Sequence, residues 1–143
     1  MTATFFGHRD TPQNIAEVLG AKIEELIVSR GVDEFYVGDS GAFDRMVLAE
    51  LRKLEKKYPF IRYCVVLAYM PTEKKRTDAP TLYPDGLEKV PPRFAITHRN
   101  RFMADRADVA VAYVKNSWGG AFQSLNYARR KGREIINLAE QDQ

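Results

Sequence analysis

DVAVAYVKNSWGG, residues 108–120, reads as a buried strand that breaks into a glycine turn and feeds a helix. Val109 to Val114 form a near-continuous apolar run, as in strands covered on both faces. The run stops at Lys115, and a helical pattern follows from Gly120 or Ala121 to Lys131, with Gly132 as its stop. The same alternation extends upstream and downstream. TATFF (2–6), EFYVG (34–38), IRYCVVLAY (61–69) and EIINL (134–138) are short, apolar and rich in β-branched or aromatic residues. Between them, Ile15, Val18, Leu19, Ile23, Leu26 and Ile27 recur at helical spacing, after Thr11 as N-cap and Pro12 at the first helical position. A second helix is expected from about Ala42 to Lys57 and a short third from about Thr97 to Arg106. Strands alternating with helices predict a Rossmann-like α/β domain, a three-layer sandwich with a five-stranded, mainly parallel sheet.

At 143 residues and 16.3 kDa the chain has room for one domain. Its 45% hydrophobic and 29% charged residues exclude a disordered tail or a collagen-like repeat. No apolar run reaches the ~18 residues that span a bilayer, and MTATFFGHRD lacks the features of a secretory leader, so a cytoplasmic protein without membrane partners is expected. The lone Cys64, inside an apolar run, predicts a buried, inert thiol and excludes disulfide or CxxC chemistry.

The stretch of about 70–96 contains Pro71, Pro80, Pro84, Pro91 and Pro92 and is expected to be a long loop over the site. Between Met70 and Arg101, seven basic residues face four acidic ones, a difference equal to the whole net charge of +3. Lys74, Lys75 and Lys89 read more readily as solvating charges than as ligand contacts.

In an open parallel sheet, ligands bind beyond the carboxyl ends of the strands. That rule gathers Gly7-His8-Arg9-Asp10, Gly38-Asp39-Ser40-Gly41-Ala42 and Lys115 to Gly120, turns that each lead into a helix N-terminus suited to phosphate or carboxylate. Gly119-Gly120 lets backbone approach an anion, or makes a tight turn without one. Arg9 offers a bidentate phosphate contact, or pairs with Asp39 or Asp44. Asp39 either accepts from ribose hydroxyls or caps the second helix, and Asp44 is favourable in that helix's first turn without any ligand. Ser40 and Ser117 are loop hydroxyls with no base and acid in triad order. With only His8 and His98 and no cysteine cluster, no metal site is expected, and no resident cofactor is indicated.

Phe6-Gly7-His8-Arg9, Gly38-Asp39-Ser40-Gly41-Ala42-Phe43-Asp44, Arg99-Asn100-Arg101-Phe102-Met103-Ala104-Asp105 and Gly119-Gly120 follow a known order. The chain resembles the SLOG superfamily, and within it the YpsA-like branch, with its TGHR-like start, GxxxGaD-like turn, RNxxM segment and GGT-like turn. The resemblance implies a Rossmannoid domain that binds a nucleotide or nucleotide-derived small molecule, with Arg99 and Asn100 facing the site. The superfamily also holds phosphoribohydrolases, DNA-processing proteins that bind single strands, and sensor domains. Phosphoribohydrolases use a PGGxGTxxE turn, which laid from Gly119 puts Phe122 at the third glycine, Gln123 at the threonine and Asn126 at the glutamate. An amide at Asn126 cannot relay a proton as a carboxylate can.

The leading expectation is a sensor or ligand-sequestering module with Trp118 or Phe43 to stack on a base. The alternative is a nucleotide N-glycosidase with Asp39 or Asp44 as its carboxylate. A single-strand nucleic-acid binder is the least favoured, because +3 is a small basic excess. A homo-oligomer is expected, with Tyr58, Tyr63, Tyr83 and Tyr113 read as exposed aromatics available to an interface.

Overall fold

The structure is a computed structural model and describes residues 1–70 and 78–141. In chain order the elements are β1 (Thr2–Gly7), α1 (Ile15–Arg30), β2 (Glu34–Val37), α2 (Ala42–Lys57), β3 (Arg62–Val66) and β4 (Thr81–Leu82). They continue with α3 (Ala95–Arg106), β5 (Val109–Tyr113), α4 (Gly120–Arg130), β6 (Glu134–Asn137) and α5 (Leu138–Gln141). The six strands make one parallel sheet in the order β4-β3-β2-β1-β5-β6.

The Rossmann-like α/β architecture is as the sequence predicts, with one strand more than expected. The extra strand is Thr81–Leu82, inside the long proline-rich loop, where Val65 and Val66 offer it an open sheet edge. That loop also forms two short 3-10 turns, Leu87–Lys89 and Pro92–Phe94, and α3 begins at Ala95 rather than Thr97. A two-residue strand has no periodicity of its own, so only pairing to β3 reveals it. Lys74, Lys75 and Arg76 lie outside the described residues.

The sheet sorts its side chains by period two. Ala3, Phe5, Phe35, Val37, Val109, Val111 and Tyr113 belong to the core under α1 and α2. Phe6, Ala110, Ala112 and Val114 belong to the core under α3 and α4, where the two alanines let the helices approach closely. Tyr113 is therefore fully buried, and Tyr58, Tyr63 and Tyr83 are half-buried against the first core, so none of them is the exposed aromatic expected for an interface. Val18 likewise departs from its expected inward position and is exposed.

Thr11 does not cap α1. Its hydroxyl donates to the His8 carbonyl at 2.6 Å and closes a turn, and the helix starts later, at Ile15. Cys64 is half-buried rather than buried, and burial, helped by Glu34, pushes its thiol up to about 11. Alkylation of the native protein at pH 8 is expected to run roughly a hundredfold slower than that of an unfolded chain, because so little thiolate forms. Equal rates in native protein and in urea would contradict this placement.

Candidate functional site

The order β4-β3-β2-β1-β5-β6 makes the chain leave β1 toward β2 and leave β5 in the opposite direction, toward β6. Connections that part in this way open a crevice at the carboxyl ends of the two strands. A cavity of about 440 Å³ lies there, within the size range of small-molecule sites.

Of the residues singled out from sequence, Gly7, His8, Arg9, Ser40, Asp44, Arg99, Asn100, Trp118, Gly119 and Gly120 line this cavity. Gly38, Asp39, Gly41 and Ser117 do not. Gly38 and Gly41 answer to packing instead. A Cβ on Gly38 would stand 2.8 Å from Asp44 Oδ2 and 2.9 Å from the Arg99 guanidinium carbon. Gly41 has φ +119°, and a Cβ there would stand 2.6 Å from Arg9 Cα, so the turn after β1 packs on the start of α2 only through glycine. The Ala42 N–H donates to the Arg9 carbonyl at 2.9 Å across the same contact.

One end of the cavity is formed by the start of α4. Gly119 is the N-cap of α4, with φ +93°, and no side chain caps the helix. The first intrahelical bond runs from Gln123 N–H to the Gly119 carbonyl, so the N–H groups of Gly120, Ala121 and Phe122 have no acceptor within the helix. Neither Gly119 nor Gly120 would bring an added Cβ within 4 Å of another atom, so there is open space beside both glycines. Arg9 is exposed on the cavity wall and makes no ion pair among the described residues. The expected alternative, a pair with Asp39 or Asp44, is not formed: Asp39 pairs with Arg99, and Asp44 accepts from the Ser40 N–H at 2.9 Å.

Arg99 is the largest fully buried side chain among the described residues. Its guanidinium donates to Asp39 Oδ1 at 2.8 Å, to the Val66 carbonyl at 3.2 Å and to Ser40 Oγ at 3.0 Å, and its Nε donates to Asn100 Oδ1 at 2.8 Å. Asn100 Nδ2 in turn donates to Ser124 Oγ at 2.9 Å. This chain ties the turn after β2, the end of β3, α3 and α4 together. Arg99 borders the cavity, yet most of its donors are spent on protein.

Among the residues lining the cavity, Asp44 has an altered proton affinity. Burial raises its pKa above the ordinary Asp value, opposed mainly by the Arg99 cation and the Ser40 N–H. His8 accepts at Nε2 from the Lys115 N–H at 2.9 Å, which places its own ring proton on Nδ1 and joins the turns after β1 and β5. Phe43 is buried against Gly7 and cannot stack on a base, whereas Trp118 is 70% exposed at the cavity mouth.

Sequence reasoning missed Asn137. It is buried at the end of β6, where Oδ1 accepts from Val114 N–H at 3.1 Å and Nδ2 donates to the Val114 carbonyl at 3.0 Å. The pair fixes the end of β5, from which the Gly119 turn departs. The signal was present as an amide closing the apolar run EIIN, since a buried amide must find partners. Phe5, Phe6, Asp10, Ile96, Asn116 and Ala121 complete the lining; Asp10 and Asn116 sit in the turns that the strand-end rule gathers, whereas Ile96 and Ala121 carry no distinguishing pattern.

No protein-family profile matches the chain, and no curated protein does. A solved structure that it resembles is the X-ray structure of DNA processing protein A (DprA) from Streptococcus pneumoniae, with a TM-score of 0.71. The likeness is one of fold. At 16% sequence identity it covers 94% of this chain and 48% of DprA, so the chain spans about half the length of that protein. It supports the Rossmann-like fold implied by the SLOG resemblance. Among the described residues, no helix is long and apolar enough to cross a membrane.

Proposed function

We propose that this protein binds a nucleotide or nucleotide-derived small molecule at the carboxyl edge of its sheet, as a sensor or ligand-sequestering module of the SLOG superfamily related to its YpsA-like branch. The observation that carries this reading is the open, uncapped start of α4 at Gly119 and Gly120, facing the cavity between β1 and β5. Phosphate would take the free amides and the Arg9 guanidinium. Asp10 and Ser40 on the same wall suit ribose hydroxyls, and the exposed ring of Trp118 suits a base.

Saturating concentrations of the matching nucleotide are expected to raise the thermal midpoint by roughly 5–10 °C, since a ligand at 100 times its Kd adds about 2.7 kcal/mol. Arg9→Ala is expected to leave the unliganded midpoint unchanged, because the side chain is exposed, and to weaken binding at least tenfold. A panel of nucleotides and nucleotide conjugates that produces no shift would sink the reading.

The raised pKa of Asp44 in the cavity favours a second reading, cleavage of an N-glycosidic bond with Asp44 as proton donor. Asp39, paired with Arg99 and outside the lining, is the poorer choice of carboxylate. Chromatography of the stabilised mixtures separates the two readings: free base that disappears in Asp44→Asn, with binding retained, marks an enzyme.

A further inference from the structure

We propose that the ligand is bipartite, a nucleotide in the main cavity whose second, phosphate-linked group lies in the groove between α3 and α4. This rests on the nucleotide reading above and narrows it to a class of ligand. The groove has a volume of about 240 Å³ and shares Ile96, Asn100 and Gly120 with the main cavity. The two spaces thus meet at the start of α4, and a phosphate seated on its amides has a second way out, along the helix.

The walls of the groove suit such a group. On α4, Gly120, Gln123, Tyr127 and Arg130 recur at spacings of three and four residues and present one face, while Thr97 and Arg101, four apart on α3, stand opposite. From Gly120 to Arg130 the helix rises about 15 Å, enough for a sugar or nucleoside beyond the phosphate. Arg101 and Arg130 are exposed, and neither makes an ion pair among the described residues. The Arg101 guanidinium lies 5.2 Å from the Tyr127 ring centroid, which holds its charge at the groove.

Charge along the chain supports an anionic occupant. Residues 95–131, which build α3, β5 and α4, contain seven Lys and Arg and two Asp, whereas the rest of the chain contains fifteen basic and seventeen acidic residues. Both of those aspartates are engaged, Asp105 by the Tyr127 hydroxyl at 2.8 Å and Asp108 by the Thr2 N–H at 2.9 Å. Arg99 is matched by Asp39 outside the segment, which leaves six basic residues against two aspartates along a stretch that supplies the walls of the groove.

Trp118, the only tryptophan in the chain, lines the main cavity and reports binding through its fluorescence. The experiment titrates the protein with the four ribonucleoside monophosphates and with the corresponding dinucleosides joined through a 5′–5′ diphosphate. A linked compound is expected to bind at least tenfold tighter than its monophosphate. In Arg101→Ala/Arg130→Ala the linked compound should fall to the affinity of the monophosphate, with monophosphate binding and thermal midpoint unchanged. Equal affinities in the wild type, or a preference that survives the double variant, would overturn the bipartite ligand while monophosphate binding lost in Arg9→Ala kept the nucleotide reading. Affinity that instead climbs from the dinucleotide to a twenty-nucleotide single strand, with steep salt dependence, would overturn it in favour of a polynucleotide track. Absence of any response in fluorescence or midpoint would remove both.

Discussion

Arg99→Met is expected to lower stability by about 2–4 kcal/mol, because buried acceptors lose their donor while the half-exposed Asp39 carboxylate can return to water. At this chain length that corresponds to a fall in thermal midpoint of roughly 5–10 °C. Arg99 is 1% exposed, and its loss would release four contacts at once: Asp39, Ser40, the Val66 carbonyl and Asn100. Asp39→Asn should cost less, because the Asp39 side chain is 43% exposed and an amide still accepts from the guanidinium. A larger loss from Asp39→Asn than from Arg99→Met would contradict this account.

The same substitution has a pH signature through Asp44. An acid whose folded pKa lies above its unfolded value binds its proton more tightly when folded, so its contribution to stability is complete below the unfolded pKa and is lost as pH rises through the folded one. Burial raises the Asp44 pKa and Arg99 is the leading group that lowers it, so removing Arg99 moves it further up. The deficit of Arg99→Met relative to wild type should therefore be larger at pH 8 than at pH 5. Denaturant melts at the two pH values check the sign, and an equal deficit at both would detach Asp44 from Arg99.

Gly7→Ala is expected to destabilise by about 3 kcal/mol, at the upper end for overpacking. An added Cβ would overlap Cγ and Cδ2 of Phe43 and stand 2.7 Å from its Cβ, so the ring cannot escape by rotation alone. Phe43 is 1% exposed and lies in the first turn of α2, so relief requires the helix to shift away from the end of β1. That shift would also disturb the Gly41 to Arg9 contact and hence the cavity. Gly120→Ala is the control: an added Cβ there meets nothing within 4 Å, so stability should hold while nucleotide affinity falls. Similar urea midpoints for Gly7→Ala and wild type would show that α2 is looser than this packing implies.

Much of the fold was legible because its strands are buried on both faces and its helices carry strong periodicity. The approximate range of α2 was readable from its apolar spacing and the proline that follows it, and β5 from an unbroken apolar run. β4 was not legible, since it owes its strand character to the open edge of β3. The start of α1 was misread because Thr11 and Pro12 form a good helix-start pair on local grounds, while the His8 carbonyl competes for the threonine hydroxyl.

The sequence by itself determined the alternation of strands and helices, and with it the turns that gather at the carboxyl edge of the sheet. Periodicity and turn residues are local, so a linear reading can reach them. Only the tertiary structure decided which polar groups at that edge face a cavity and which are consumed by the protein. Arg9 and Arg99 are both arginines in motif positions, yet one is exposed and without an ion pair among the described residues while the other is buried among Asp39, Ser40 and Val66. The difference arises from contacts between residues about sixty positions apart, because a buried charge must find its partners wherever the sheet order brings them.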